Sequence, residues 1–217
     1  MSPDGKSVAY TSRYEGKNQI FLRDVEADTG KLLFESPEGA DNPSFSPDGS
    51  RLAFTSQEGG FSQVFVFDRK NRLCENWSKG SYHDGSPCWA PDGKSLVVSR
   101  EGSSLVQLAP GSSKVLVEDT GCWNAAPAFS PDGKTLAFMS NRDGNPEIYT
   151  LKSGKLQRLT QDSAYDTSPK FSSDGRRILF TSTPEGGDSR LFSMNVDGTQ
   201  VSPLVPESHV GGAAWVP

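Results

Sequence analysis

The chain has 217 residues, 34% of them hydrophobic, and a net charge of −5. That mild acidity excludes a broad electrostatic attraction to nucleic acid or anionic lipid, and no apolar run approaches the roughly 18 residues a membrane span needs. The start, MSPDGKSVAY, has no apolar signal region, and 22 glycines with 15 prolines indicate a turn-rich globular chain rather than a disordered one.

In chain order, Asp-Gly pairs fall at Asp4-Gly5, Asp48-Gly49, Asp92-Gly93, Asp132-Gly133 and Asp174-Gly175, at intervals of 44, 44, 40 and 42 residues. Each opens the same succession. An apolar triplet follows: Val8-Ala9-Tyr10, Leu52-Ala53-Phe54, Leu96-Val97-Val98, Leu136-Ala137-Phe138 and Ile178-Leu179-Phe180. Then comes a second run, such as Ile20-Phe21-Leu22, Val64-Phe65-Val66 or Ile148-Tyr149-Thr150, and a shorter, more polar third, as in Leu156 to Leu159. These have strand length and composition and are bounded by turn residues. Before four of the Asp-Gly pairs stand a proline, a spacer and an aromatic: Pro43/Phe45, Pro87/Trp89, Pro127/Phe129 and Pro169/Phe171. Gly supplies positive φ and Asp bonds a nearby N–H, so turn chemistry explains the recurrence. Residues 100–117 are the least regular unit, where APGSS predicts a shortened hairpin.

A four-stranded unit repeating near 42 residues predicts propeller blades, since one small sheet cannot bury both its faces. The expected fold is all-β: a five-bladed β-propeller of four-stranded antiparallel blades, one domain over 1–217. Its ring is expected to close by pairing of the N- and C-terminal segments. Ala213 and Trp215 near the C-terminus match the Pro-x-aromatic positions, and the Asp-Gly that should follow stands at the other terminus. The alternative at this level is five blades cut from a larger ring.

The segment APAFSPDGKTLAFMSNRDGNPEIYTLKSGKLQRLTQDSAYDTSP, residues 126–169, resembles the repeat of TolB-type propellers, also called PD40 or WD40-like repeats. The resemblance covers essentially the whole chain. It implies an antiparallel blade with Pro-x-aromatic on the innermost strand, and a periplasmic or other extracytoplasmic location.

What varies between copies points to a site. Four residues before the proline position stand Gly39, His83, Trp123, Tyr165 and His209; three before it stand Ala40, Asp84, Asn124, Asp166 and Val210. In a propeller these loops crowd one mouth of the channel. His83, Trp123, Tyr165 and His209 are therefore expected to form a rim, with Asp84, Asn124 and Asp166 beneath. Aromatics with a few convergent polar groups suit a ligand or peptide; packing of a narrow axis is the competing explanation. An acidic residue and Gly recur after the first apolar strand at Glu15-Gly16, Glu58-Gly59, Glu101-Gly102, Asp143-Gly144 and Glu185-Gly186, with Arg13, Arg100 and Arg142 before three of them. These read as hairpin turns with Arg–carboxylate contacts. Asn141, Asp143, Asn145 and Glu147 form part of a calcium-loop pattern without its full length.

Nucleophile elbows, His-Glu-x-x-His and phosphate loops are missing. No catalytic residue, metal ligand or cofactor is assigned. The expected function is a non-catalytic binding or scaffold propeller that takes a protein or peptide at the channel mouth, with a small molecule or glycan as second ligand class, as a monomer without nucleic acid or membrane insertion. The alternative is a furanosidase-like glycoside hydrolase using axial carboxylates, with Asp84 and Asp166 joined by Glu38 or Asp41. Three cysteines, Cys74, Cys88 and Cys122, argue against a disulfide framework, and Asn76-Trp77-Ser78 is a formal glycosylation sequon.

Overall fold

In a computed structural model of the chain, residues 1–204 are described. They form five successive antiparallel sheets and no helix. The first holds β1 (Ser7–Tyr14), β2 (Lys17–Asp24) and β3 (Gly30–Phe34); the second β4 (Ala40–Phe45), β5 (Arg51–Glu58), β6 (Phe61–Asp68) and β7 (Cys74–Asn76). The third holds β8 (Asp84–Trp89), β9 (Leu96–Arg100), β10 (Ser104–Ala109) and β11 (Ser112–Glu118). The fourth holds β12 (Asn124–Phe129), β13 (Thr135–Ser140), β14 (Glu147–Lys152) and β15 (Lys155–Arg158), and the fifth β16 (Tyr165–Phe171), β17 (Arg177–Thr183), β18 (Arg190–Asn195) and β19 (Ser202–Pro203). Each sheet runs in chain order. This is the five-bladed β-propeller class, with three strands in the first blade among the described residues. The strand predicted from Ala213 to Val216, and with it ring closure, lies outside the described residues.

The predicted short hairpin is present, with β10 and β11 joined through Pro110 and Gly111. Two compact units divide the described residues: 1–102 with 106–116, and 103–105 with 117–204.

The Asp-Gly turns share one hydrogen-bond plan. Ser46 Oγ donates to Asp48 at 2.6 Å and accepts from Arg51 N at 2.9 Å, while Asp48 also accepts from Ser50 N. Gly49 N closes the turn on Ser46 O with φ of 70°. Ser2, Ser130 and Ser172 repeat this in their blades. These hydroxyl bonds hold Asp4, Asp132 and Asp174 below the usual carboxylate range and Asp48 down to about 2. The third blade has Ala90 in place of the serine, and Asp92 keeps only the bond from Lys94 N at 2.9 Å.

Pro-x-aromatic proves to be a bulge motif. In β4, β8, β12 and β16 the pairing with the next strand slips by one residue across the proline. The residue before it is left-handed: Asn42, Ser86, Ala126 and Ser168 have φ between 50° and 55°. Proline suits this place because the extra residue of a bulge makes no ladder bond.

Packing in the first unit centres on the aromatic of the motif. Trp89 lies edge-on to Trp77 at 5.6 Å and donates from Nε1 to Ser44 O at 3.0 Å. The Arg51 guanidinium stacks over Trp89 at 4.9 Å and bonds Gly93 O. These contacts tie β4 to β8, which pack against each other, as β12 does against β16 in the second unit. Cross-strand rings stack repeatedly: Tyr10 on Phe21, Phe54 on Phe65, Phe138 on Tyr149 and Phe180 on Phe192. Around the last pair the second unit buries Ala137, Ile148, Ile178 and Met194.

Candidate functional site

The bulge divides each first strand in two. Residues after it belong to the Asp-Gly turn, and residues before it open the strand at the opposite, hairpin end. The candidate residues stand there.

In the first unit, exposed His83 is held on three sides. Its N–H donates to Glu101 Oε1 at 2.7 Å, its carbonyl accepts from Glu101 N at 2.8 Å, and Nδ1 accepts from Ser62 N at 3.2 Å. The Phe61 ring lies 5.3 Å away. Asp84 is buried and bound twice by Arg100, at 2.8 Å from Nε and from Nη2. The Arg100 guanidinium also lies 4.5 Å over the exposed Tyr82 ring. It is thus sandwiched between a carboxylate and an aromatic face.

The second blade has small residues at these positions. Gly39 and Ala40 help leave a cleft of about 500 Å³ with Arg13, Asn18, Glu38, Asp41 and Gln57 among its walls. Asn18 donates to both oxygens of Asp41, at 3.0 and 3.1 Å. Gly39 has φ of 86°, and a Cβ there would come within 3.1 Å of Asn18 O, so a larger residue is excluded by both conformation and space.

In the second unit, Trp123 is exposed at 63% and repeats the bracket of His83, donating from N to Asn141 Oδ1 and accepting from Asn141 N. Asn124 is buried, accepts from Arg142 Nη2 at 3.0 Å and donates to Ser103 O at 2.6 Å. Arg142 continues over the Tyr149 ring at 5.1 Å and reaches Asp119 at 4.0 Å. Tyr165 is exposed at 51%, and the next residue, Asp166, is fully buried; neither of its carboxylate oxygens has a hydrogen-bond partner among the described residues. Burial pushes Asp166 up to about 6, with Asp162 and Glu147 adding repulsion and the nearby hydroxyls of Ser182 and Thr160, which fall short of hydrogen-bond geometry, restraining the rise.

Within each unit the ring residues His83, Trp123 and Tyr165 are exposed and the residues that follow them, Asp84, Asn124 and Asp166, are buried. His209 lies outside the described residues. Arg100 and Arg142 bond the first-strand residues Asp84 and Asn124 of their own blades, a pairing that spacing alone did not show. The calcium-like fragment disperses: Asn141 serves Trp123, Asp143 accepts from Tyr149 Oη, Asn145 bonds the carbonyls of Asp162 and Ala164, and Glu147 is held by Arg158 and Thr160. None of the three half-buried cysteines forms a disulfide among the described residues, and burial pushes Cys74 up to about 11. The Asn76 carboxamide of the sequon accepts from Ser78 N and Lys79 N.

Among solved structures, the chain is similar to TolB from Acinetobacter baumannii, with a TM-score of 0.79 at 23% identity over 94% of this chain and 53% of that one. It thus spans about half the length of that relative. The putative TolB from Agrobacterium tumefaciens gives 0.81 at 24% identity, covering 94% and 78%. A puromycin-hydrolysing peptidase from Mycobacterium tuberculosis gives 0.75 at 17% identity, covering 98% of this chain and 36% of that one. Likenesses this remote establish the fold. The family model described as the TolB beta propeller domain matches residues 1–106 and 103–212, and the chain belongs to that TolB β-propeller (PD40) family.

Proposed function

We propose that this propeller is a non-catalytic binding module that docks a protein or peptide on the hairpin end of its blades, at the mouth of the channel. The observation that carries this is the repeated pairing of an exposed His83, Trp123 or Tyr165 with a buried polar residue behind it. Rings held at the starts of rigid strands lose little freedom on binding and supply most of the contact energy. The glycosidase reading is weaker on one point of geometry. Asp84 has both oxygens committed to Arg100, which leaves it poorly placed as nucleophile or base.

The test replaces His83, Trp123, Tyr165 and His209 together by Ala, then screens both proteins against a peptide library, glycans and divalent metals. Loss of a peptide ligand at unchanged melting temperature is the expected result. A variant that binds as well as the wild type would overturn the reading, as would one that melts earlier where no ligand is found for either protein.

A further inference from the structure

Where the first and second blades meet at the hairpin end, their apolar contact stays open. β3 stops at Phe34, and the chain turns through Ser36 and Pro37 into β4. That turn is fixed from inside: buried Gln19 donates from Nε2 to Ser36 O at 2.8 Å and accepts from Ser36 N at 2.9 Å, and the hydroxyls of Ser36 and Ser56 bond at 2.8 Å. Between the turn and the second blade lies a pocket of about 400 Å³, walled by Phe34, Phe54, Phe65 and Cys74, with Glu38 and Glu58 on its lining as well. The rings brace one another, Phe54 lying 5.5 Å from Phe34 and 5.9 Å from Phe65. Phe54 is buried, whereas Phe34, Phe65 and Cys74 are half-buried and Glu38 and Glu58 exposed. The carboxylates therefore stand at the mouth and the rings behind them.

This pocket differs in chemistry from the cleft beside Gly39, with which it shares Glu38, Ser56 and Gln57 as a common wall. Two cations, Arg13 and Lys17, line the cleft, and Lys17 is tied to Pro37 O. Neither lines the pocket. Glu58 accepts from Asn76 Nδ2, and neither Glu38 nor Glu58 is in an ion pair among the described residues. An apolar hollow with carboxylates at its mouth matches a ligand that is apolar at one point and positively charged beside it. Rings and turn are already in place, so docking orders little of the protein.

We infer that this pocket takes an apolar anchor side chain of a protein partner, followed in the partner's sequence by a lysine or arginine that pairs with Glu38 and Glu58. This rests on the reading of the hairpin end as the docking surface, and it names the sequence chemistry that surface selects.

The test is a nuclear magnetic resonance titration of the full chain with the capped peptide Gly-Phe-Lys-Gly and two relatives, one with Ala for Phe and one with Nε-acetyl-lysine for Lys. The parent peptide should bind at least about ten-fold tighter than either relative, with the largest shifts at the amides of Ser36 and Gly59. Glu38→Gln with Glu58→Gln should lower its affinity to that of the acetyl-lysine peptide. Cys74→Phe, which fills the hollow, should abolish binding. Glu26→Gln, at the other end of the first blade, should change nothing. Both mouth carboxylates are exposed, so their double variant keeps the wild-type melting temperature and decides the matter even where Cys74→Phe does not fold. Equal affinity for the three peptides, no binding of the parent, undiminished binding by folded Cys74→Phe, or an equal loss in Glu26→Gln would overturn the inference. The two readings fail separately. A library peptide that is lost with the rings of His83, Trp123 and Tyr165 but is indifferent to Cys74→Phe and to the carboxylate pair would leave the docking surface standing without this pocket.

Discussion

The two ends of each blade carry different kinds of information. At the Asp-Gly end four turns use the same serine, aspartate and glycine in the same bonds. At the hairpin end equivalent positions hold Ala40, Asp84, Asn124 and Asp166, each solved differently. The first pattern is dictated by the backbone, because any residue lacking a hydroxyl or positive φ weakens the turn. The second is not demanded by the fold, since Ala40 occupies the same place without any polar partner. Differences that the fold does not require are where ligand recognition should be sought.

Substitutions sharpen that contrast, beginning with the largest effect. Arg100→Leu strands the buried Asp84 carboxylate and should cost about 3 to 5 kcal/mol in urea unfolding at pH 7. A loss below about 1 kcal/mol would mean the pair is no more than a surface bridge. Asp166→Asn should act in the opposite direction. Its native carboxyl is raised to about 6, so the stability present when it is protonated in both states is lost as pH rises from near 4 through 6. The variant should therefore gain up to about 3 kcal/mol above pH 7 and nothing below pH 4. A gain independent of pH would show that the carboxyl is not the cause.

The Asp-Gly end provides the smaller, symmetrical pair. Ser130→Ala removes a bond to Asp132 and an acceptor from Thr135 N, and should cost about 1 to 2 kcal/mol. Ala90→Ser supplies the missing hydroxyl in the third blade and should gain up to about 1 kcal/mol. Should thermal melts show no change in either, the shared turn would owe its stability to backbone alone.

The period, the strands and the Asp-Gly turns were legible in the sequence because their causes are local, a glycine at positive φ and a short apolar run between turns. The bulge was not. Proline announced a special position, but a left-handed Ser86 or Ala126 before it depends on the slip in pairing with β9 or β13. The candidate positions were legible as a column of exposed and buried side chains, with Trp123 and Tyr165 exposed and Asp84, Asn124 and Asp166 buried. Their partners were hidden because Arg100 and Arg142 stand two places apart in the repeat yet serve the same column, a coincidence made by side-chain reach. His209 and the strand expected at Ala213 lie outside the described residues.

The extra residue before each proline also gives the first strands a modular character. Because the slip is absorbed at Asn42, Ser86, Ala126 or Ser168, the register downstream is set anew by the turn. The three or four residues upstream become an interchangeable cassette. Grafting residues 82–84 of the third blade onto 164–166 of the fifth, together with Ser182→Arg, should move the arrangement of Tyr82, Arg100 and Asp84 without touching the frame that carries it. One end of a blade can in this way change its side chains while the turn at the other end stays fixed.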